Sequence, residues 1–147
     1  MVHRTAIIDD DTRIGIGTDI GAFVEIRKGV QIGTECYIDS YCCFTGDSRI
    51  GNGVTIRNRC TIARGTEIGD GTFIAPHCMF QNLDSERERK GGAKIGKNCF
   101  IGTGVVFREG VRVCDNVVIG SMSYVNKDIT EPGIYFGNPI KRYVKAS

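Results

Sequence analysis

The sequence lacks the features of several common functional classes. Nineteen basic and seventeen acidic side chains leave a net charge of only +2, which argues against nucleic-acid binding through a strong electrostatic field. No apolar run approaches the length of a membrane span. The first residues, MVHRTAIIDDD, lack the basic, apolar and small-residue order of a signal peptide. We therefore expect a cytoplasmic protein with no nucleic-acid and no membrane partner.

The chain also lacks a recognisable metal or disulfide pattern, although it contains seven cysteines. No C-x-x-C occurs, and the adjacent pair Cys42-Cys43 is a poor clamp for a tetrahedral ion. The simplest interpretation is a reducing, cytoplasmic interior. We expect no metal site.

What the sequence has instead is an aliphatic or phenylalanine side chain at every sixth position. The series breaks once, after Phe80, and resumes three residues out of phase at Ile95. Its members are Val2, Ile8, Ile14, Ile20, Ile26, Ile32, Ile38, Phe44, Ile50, Ile56, Ile62, Ile68, Ile74, Phe80, Ile95, Ile101, Phe107, Val113, Ile119 and Val125. A six-residue period fits neither a helix nor an ordinary strand and indicates a repeat protein.

From Ile8 onward, the position two residues before each of these is small or β-branched. Residues two apart point to the same side of a strand, so each hexad places one small and one large side chain inward. Five cysteines occupy the small slot, where a thiol behaves as a compact apolar group: Cys36, Cys42, Cys60, Cys78 and Cys99. Cys43 and Cys114 fall on outward positions and have no assigned role.

A glycine follows the large residue at every third hexad. The positions are Gly15, Gly33, Gly51, Gly69 and Gly96, if the break is counted as an insertion. Three short strands per turn make a triangular prism, the parallel β-helix of hexapeptide repeats. So thin a core favours association of several copies. We expect one domain of this kind over residues 1-128 and a C-terminal extension over 129-147.

The break consists of nine extra residues in the polar segment QNLDSERERKGGAK, about residues 81-94. A stacked solenoid tolerates an insertion only as an extruded loop, and extruded loops often carry function. The segment is either a solvated surface loop or a flap that covers a site between neighbouring copies.

One corner of the prism carries unusual side chains. The positions three residues after Ile20, Ile38, Ile56 and Ile74 hold Phe23, Tyr41, Arg59 and His77, where other corners favour Gly, Asn or Asp. Such a column suits a flat anionic ligand such as a nucleotide, or a seam between subunits. An outward column on another face has mixed charges and is interpreted as solvated: Arg13, Gln31, Arg49, Glu67, Lys94 and Arg112.

The repeats resemble the left-handed β-helix of the hexapeptide-repeat acyltransferases. The segments GTFIAPHCMFQN, KIGKNCFIGTGVVFREGVRVCDNVVIGSMSYVNKDI and YFGNPIKRY, in this order around the loop, resemble the sugar and nucleotide-sugar acetyltransferases of that family. The resemblance covers nearly the whole chain. It implies a homotrimer with acetyl-CoA between adjacent prisms. It places the pantetheine arm at Gly102, Thr103, Gly120 and Ser121, and the phosphates of CoA near Lys141 and Arg142.

The loop departs from the relatives that acetylate sugar hydroxyl groups, because it lacks their histidine. The branch that N-acetylates nucleotide-linked amino sugars often shows Phe-x-Asn-Asp; here Asn82 matches and Asp84 comes one place late. The turn IRNRCTIARG, which includes Arg64, also resembles that branch. An amine needs less help from a base than a hydroxyl group, so the missing histidine favours N-acetylation over saccharide O-acetylation.

The predicted site then has the following members. Asn82 orients the amine, Asp84 accepts its proton, and a backbone N–H such as that of Gly102 holds the oxyanion. Phe23, Tyr41, Arg59 and Arg64 bind the nucleotide sugar. His77 is either a general base or a corner residue that stacks on Arg59 or lies at a subunit seam.

Two other functions fit a hexapeptide prism less well. A zinc-dependent carbonic anhydrase of this shape needs three histidines around one ion, and His3 and His77 are the only two here and lie in distant turns. A non-catalytic spacer would need neither the extruded loop nor the GNPIK tail. The remaining alternative is a saccharide O-acetyltransferase with His77 or Asp84 as its base.

Overall fold

The computed structural model describes residues 1–88 and 90–146, and its regular elements in these ranges are all β-strands. Most strands contain two residues and are separated by a four-residue corner, as the six-residue period requires. In chain order the strands are β1 (Ile7–Ile8), β2 (Arg13–Ile14), β3 (Asp19–Ile20), β4 (Glu25–Ile26), β5 (Gln31–Ile32), β6 (Tyr37–Ile38), β7 (Cys43–Phe44), β8 (Arg49–Ile50), β9 (Thr55–Ile56), β10 (Thr61–Ile62), β11 (Glu67–Ile68), β12 (Phe73–Ile74), β13 (Met79–Phe80), β14 (Lys94–Ile95), β15 (Phe100–Ile101), β16 (Val106–Phe107), β17 (Arg112–Val113), β18 (Val117–Ile119), β19 (Tyr124–Val125), β20 (Gly133–Phe136) and β21 (Lys141–Arg142).

Every third strand joins the same sheet, which gives a prism with three faces and about seven turns. Face 1 contains β1, β4, β7, β10, β13, β16 and β19. Face 2 contains β2, β5, β8, β11, β14 and β17. Face 3 contains β3, β6, β9, β12, β15, β18, β20 and β21. Adjacent turns pair in parallel and in register, for example Ile8 with Ile26, so identical slots stack about 4.8 Å apart.

In the two-residue strands from β1 to β19, the second residue points into the prism and, beyond the first turn, is buried. The interior of face 1 includes Phe44, Phe80 and Phe107, and the last two rings stack at 4.6 Å between centroids. The five cysteines predicted to fill the small slot are buried free thiols. Burial of each large aliphatic side chain contributes about 1.5–3 kcal/mol, so the hexad lattice is the main source of stability. The prediction of an all-β, hexapeptide-repeat β-helix is confirmed.

The nine extra residues leave the prism at the corner between face 1 and face 2. β13 and β14, on either side of the insertion, still pair with β10 and β11 of the turn below. The register between Glu67 and Lys94 places Gly92 directly above Gly65, so the turn closes normally at the foot of the loop. The predicted extruded loop is therefore confirmed.

The C-terminal segment continues the solenoid before it turns back. β20 pairs in parallel with β18 on face 3, and β21 folds back antiparallel on β20. Ile129 extends face 2 through a single bridge to Val113. The division of the chain at residue 128 stays a prediction. None of the described residues forms a helix that is long and apolar enough to cross a membrane.

Candidate functional site

The corner that joins face 3 to face 1 of the next turn, here called corner 3/1, carries the predicted aromatic and basic column. Phe23, Tyr41, Arg59 and His77 have φ angles of 57°, 63°, 62° and 62°. A left-handed backbone costs a residue with a side chain about 1–2 kcal/mol relative to glycine. Strained positions of this kind occur often at functional sites, so four successive ones with large side chains make this corner a candidate site.

The lower part of corner 3/1 is a continuous stack. The rings of Phe23 and Tyr41 lie 5.2 Å apart and are inclined by 19°, and the Arg59 guanidinium lies 4.6 Å from the Tyr41 ring centre. Because Tyr41 lies between the Phe23 ring and the Arg59 guanidinium, a flat ligand would contact mainly the edges of these groups rather than their faces. Binding of a nucleotide and packing at a subunit seam both stay open as predicted roles.

Arg57 is a second guanidinium at this corner that the sequence analysis missed. Its Nε lies 3.4 Å from Asp39 Oδ2, and its Cζ lies 5.9 Å from the ring centre of Tyr37 on face 3. The signal was present in the sequence, since IRNR places arginines on both sides of Asn58. It was missed because only one residue of each corner was compared between turns.

His77 follows Arg59 one turn further along corner 3/1. Its side chain is exposed, and its main-chain N–H donates to the carbonyl of Asn58 at 3.1 Å. Within the described ranges the imidazole makes no hydrogen bond to another side chain. The ring is therefore accessible to a ligand at this corner.

The predicted donor-binding residues lie on the next two turns of the same corner. Thr103 N donates to Ser121 Oγ at 3.1 Å, which ties these two turns together. A Cβ on Gly102 would lie 2.6 Å from Ser121 N, so this close approach of the backbone requires glycine. The N–H of Gly102 donates to the carbonyl of Ile119 at 2.8 Å and is not free to hold an oxyanion.

The C-terminal tail adds one more turn to corner 3/1. Gly137 N donates to Ser123 Oγ at 3.0 Å, and Tyr124 N donates to the Gly137 carbonyl at 3.0 Å. Arg142, which the resemblance places near CoA phosphates, forms an ion pair with Glu131 at 2.7 Å. Lys141 is exposed and has no ion pair within the described part of the chain.

The loop residues Asn82 and Asp84 lie at a different corner, between face 1 and face 2, here called corner 1/2. Asp84 Oδ1 accepts the N–H groups of Glu86 and Glu88, each at 2.9 Å, and Oδ2 lies 3.4 Å from Lys90 Nζ. These contacts, the Glu88 N–H above all, lower the pKa of the Asp84 carboxyl. In this arrangement Asp84 organises the loop and is a weak base.

Asn82 lies at the foot of the loop beside a shallow cavity of about 340 Å³ on face 1. The cavity is lined by Thr45, Thr61, Ala63, Met79, Phe80, Gln81, Asn82 and Leu83. Arg64 lies on the same corner one turn below and forms an ion pair with Asp47. Arg64 thus belongs with the loop rather than with Arg59.

The predicted site residues consequently form two groups within one chain. His77 and Asn82 are five residues apart along an extended face, a separation of about 16 Å. Phe23, Tyr41, Arg59, His77 and the glycine turns share corner 3/1, whereas Arg64, Asn82 and Asp84 share corner 1/2. A single copy does not bring the two groups together. Nowhere in the described ranges do three or more His, Cys, Asp or Glu side chains form a group that could hold a metal ion.

Comparison with known proteins gives matches over most of the chain. The chain is 36% identical over 58 residues to a chloramphenicol acetyltransferase from Morganella morganii, a match that covers 40% of this chain and only 28% of that protein. A UDP-N-acetylglucosamine acyltransferase from Campylobacter jejuni has a similar structure, with a TM-score of 0.66 and 15% identity over 97% of this chain and 74% of the other.

A second solved structure is a mutant of AntD, an N-acyltransferase from Bacillus cereus, in complex with dTDP and coenzyme A. Its TM-score is 0.53, with 20% identity over 95% of this chain and 79% of the other. At these identities the two structures show a shared fold. The bacterial transferase hexapeptide (six repeats) pattern matches residues 29–64, 47–82 and 92–127, which is more than half of the sequence. The protein therefore belongs to the bacterial transferase hexapeptide family.

Proposed function

We propose that the protein is a cytoplasmic acetyltransferase that moves the acetyl group of acetyl-CoA directly to the amino group of a nucleotide-linked sugar. The observation that carries this proposal is the order of groups along corner 3/1. Aromatic and guanidinium groups come first, then the exposed His77, then two turns with glycine and hydroxyl groups at a close approach of the backbone. Such an order would suit an anionic acceptor beside the guanidinium groups and an extended donor along the glycine turns that follow.

Three relatives support the chemistry. The Morganella morganii protein is an acetyltransferase, the Campylobacter jejuni protein acts on a UDP-sugar, and AntD is an N-acyltransferase that binds dTDP and coenzyme A. The seven cysteines are free thiols, in keeping with a reducing compartment.

A homotrimer would complete the site, because corner 1/2 of one copy can approach corner 3/1 of the next. Faces 1 and 3, which meet at corner 3/1, carry exposed apolar side chains such as Met79 and Phe100. Face 2 carries the charged column that includes Arg49 and Glu67. Contact between face 1 of one copy and face 3 of its neighbour would bury the apolar faces, leave the charged face in water and bring Asn82 to a site shared by two chains.

The reaction needs little from the protein beyond positioning. The uncharged amine attacks the thioester carbonyl, the C–N bond forms, the C–S bond breaks, and CoA leaves with the proton that the nitrogen loses. Holding the amine and the thioester in line supplies much of the acceleration. Asn82 would orient the amine. The basic groups of the tail, led by Lys141, which has no ion pair among the described residues, would bind CoA phosphates.

Saccharide O-acetylation is the alternative, and the accessible imidazole of His77 is the observation that favours it. A hydroxyl acceptor requires a positioned base. His77 is exposed beside the glycine turns, whereas the Asp84 carboxylate is occupied by loop amides.

An acceptor panel separates the two reactions. We expect thiol release from acetyl-CoA with UDP- or dTDP-linked amino sugars and only background release with the matching sugars that carry hydroxyl groups alone. The measurement is thiol release, with mass spectrometry of the acetylated product. Acetyl transfer confined to hydroxyl acceptors would establish the alternative, and no transfer to any acceptor would refute both.

The base question is tested by comparing His77→Asn with Asp84→Asn. For an amine acceptor His77 is not needed as a base, so we expect His77→Asn to lower kcat by less than about tenfold. Loss of a true general base would lower kcat by about 10²–10⁴. Asp84→Asn should lower kcat and speed hydrogen exchange of the Glu86 and Glu88 amides, because their acceptor loses its charge. A loss of a hundredfold or more in His77→Asn alone would assign the base to His77.

The pH dependence of the stability of the folded loop follows from the lowered pKa of Asp84. A carboxyl group whose folded pKa is depressed stabilises the folded loop above its unfolded pKa, about 3.9, and this contribution is lost as the pH falls through the folded value. The loop amides of the wild type should therefore keep their protection between about pH 5 and pH 8, once the intrinsic exchange rates are taken into account.

A further inference from the structure

We infer that Arg57 and Arg59 together bind the diphosphate of the acceptor nucleotide, and that Tyr41 and Asp39 are positioning residues that hold the two guanidinium groups for this role. The inference rests on the proposed function in one respect, the nucleotide-linked acceptor. It assigns a role to Arg57 and Asp39, and an indirect role to Tyr41.

Both guanidinium groups are held in place on one side and leave most of their donors free. The contact of Arg57 with Asp39 involves Nε, at 3.4 Å, and the two terminal nitrogens have no hydrogen bond within the described part of the chain. The Arg59 Cζ lies over the Tyr41 ring, and within the described ranges its N–H donors make no hydrogen bond to the protein. Within the described ranges no carboxylate pairs with Arg59.

Each guanidinium depends on a neighbour in the turn below. Tyr41 lies on Phe23 at 5.2 Å, and the main-chain N–H of Phe23 donates to Thr5 Oγ1 at 2.8 Å, so the stack beneath Arg59 continues into the first turn. Asp39 is largely buried, with 19% of its side chain exposed, and its Oδ1 accepts the N–H of Ser40. A fixed guanidinium loses less conformational entropy on binding than a free one.

The chemistry of two adjacent guanidinium groups selects a ligand with two negative charges. The planar fork of arginine matches the oxygens of a phosphate in a bidentate geometry. Arg57 and Arg59 are two residues apart on one corner, and only Arg57 has a carboxylate partner within the described ranges, so the pair keeps a net positive charge that an anion would neutralise. A diphosphate provides one phosphate for each guanidinium.

The position of the pair also fits the acceptor. His77 lies one turn beyond Arg59, about 4.8 Å along the axis, and Gly102 lies on the turn after that. A nucleotide sugar with its diphosphate at the arginines would therefore have its sugar beside His77 and its amine directed toward the donor turns.

Because CoA also contains a diphosphate, the test titrates the wild-type protein separately with UDP, uridine and CoA by isothermal titration calorimetry. We expect UDP to bind and uridine to bind at least tenfold more weakly. Arg57→Gln and Arg59→Gln should each raise the Kd for UDP about tenfold and leave the Kd for CoA within about twofold, since a charge-assisted hydrogen bond is worth at least 1.4 kcal/mol. Arg49→Gln, an exposed arginine on face 2, is the control and should match the wild type.

The positioning role has its own readout. Tyr41→Phe keeps the ring and should bind UDP as the wild type does, whereas Tyr41→Leu removes the ring beneath Arg59 and should raise the Kd for UDP. In the Arg59→Gln background the Tyr41→Leu change should add little, because Tyr41 acts through Arg59. Circular dichroism verifies that each variant is folded.

Three binding results would overturn the inference: no measurable UDP binding by the wild type, arginine variants that bind UDP normally, or variants that lose CoA binding instead. These results differ from a failure of the proposed function. Acetyl transfer with an unchanged KM in Arg57→Gln would refute the diphosphate assignment and leave the function intact. If the wild type binds UDP and the arginine variants bind it weakly, but the wild type acetylates no amine, the diphosphate assignment stands and the proposed function is refuted.

Discussion

Deleting residues 83–91 is expected to leave a folded solenoid that has lost acetyl transfer. Phe80 and Ile95 would then be six residues apart, and Gly92 already lies above Gly65, as an uninterrupted turn requires. The fold should therefore survive, with a thermal unfolding transition near that of the wild type. Activity should fall about a hundredfold or more, because Asn82, although retained, would lose the loop that holds it in position to orient the amine. Thiol release and far-ultraviolet circular dichroism measure the two effects.

The same deletion tests whether the site is shared between chains. A chain without the loop keeps corner 3/1, and a chain with Arg57→Glu and Arg59→Glu keeps the loop. If corner 1/2 of one copy serves corner 3/1 of the next, mixed oligomers of these two inactive chains should recover activity at some of their sites. Full activity in the deletion variant would remove the loop from the mechanism. Absence of recovery on mixing, with mixed oligomers verified by mass, would contradict a shared site.

The fold could be predicted because the hexad pattern is local and repeated. Each slot, such as that of Ile62, meets its equivalents one turn below and one turn above, here Phe44 and Phe80. A lattice identified over a few turns therefore extends to the rest of the chain. The insertion was equally visible, because it is the one place where the spacing between successive large residues is not six.

The candidate site was predicted only in part, because its contacts are not periodic. Corner membership followed from the 18-residue period, which placed Phe23, Tyr41 and Arg59 in one column, whereas the stacking of these side chains on one another is visible only in the structure. The state of the Asp84 carboxylate depends on how the loop folds back on Glu86 and Glu88, and no repeat determines that. The separation of Asn82 from His77 by a whole face follows from the lattice. Whether the two residues can serve one site depends on how a second copy packs against the first, which the repeat does not determine.

The glycines that follow the large residue on face 2 are where the lattice is least tolerant, and Gly69→Val is expected to destabilise the protein strongly. A Cβ on Gly69 would lie 2.6 Å from the carbonyl carbon of Gly96 and 2.7 Å from Lys97 N. These atoms belong to the next turn, which hydrogen bonds such as Gly69 N to Ile95 O at 2.8 Å hold in place. Backbone atoms cannot move aside as a side chain does, so the cost should reach or exceed the roughly 3 kcal/mol of a severely overpacked core.

The matched control is Gly53→Asn, at a glycine that has a left-handed backbone but no crowding. Gly53 has a φ of 62°, and nothing lies within 4 Å of its Cβ position, while Asn98 and Asn116 occupy the equivalent corner with φ of 53° and 60°. Thermal unfolding should show a midpoint about 10 °C lower for Gly69→Val and a nearly unchanged midpoint for Gly53→Asn. A wild-type midpoint for Gly69→Val would mean that adjacent turns can separate locally without cost. The in-register hydrogen bonds between turns would then not be what fixes the spacing of the prism.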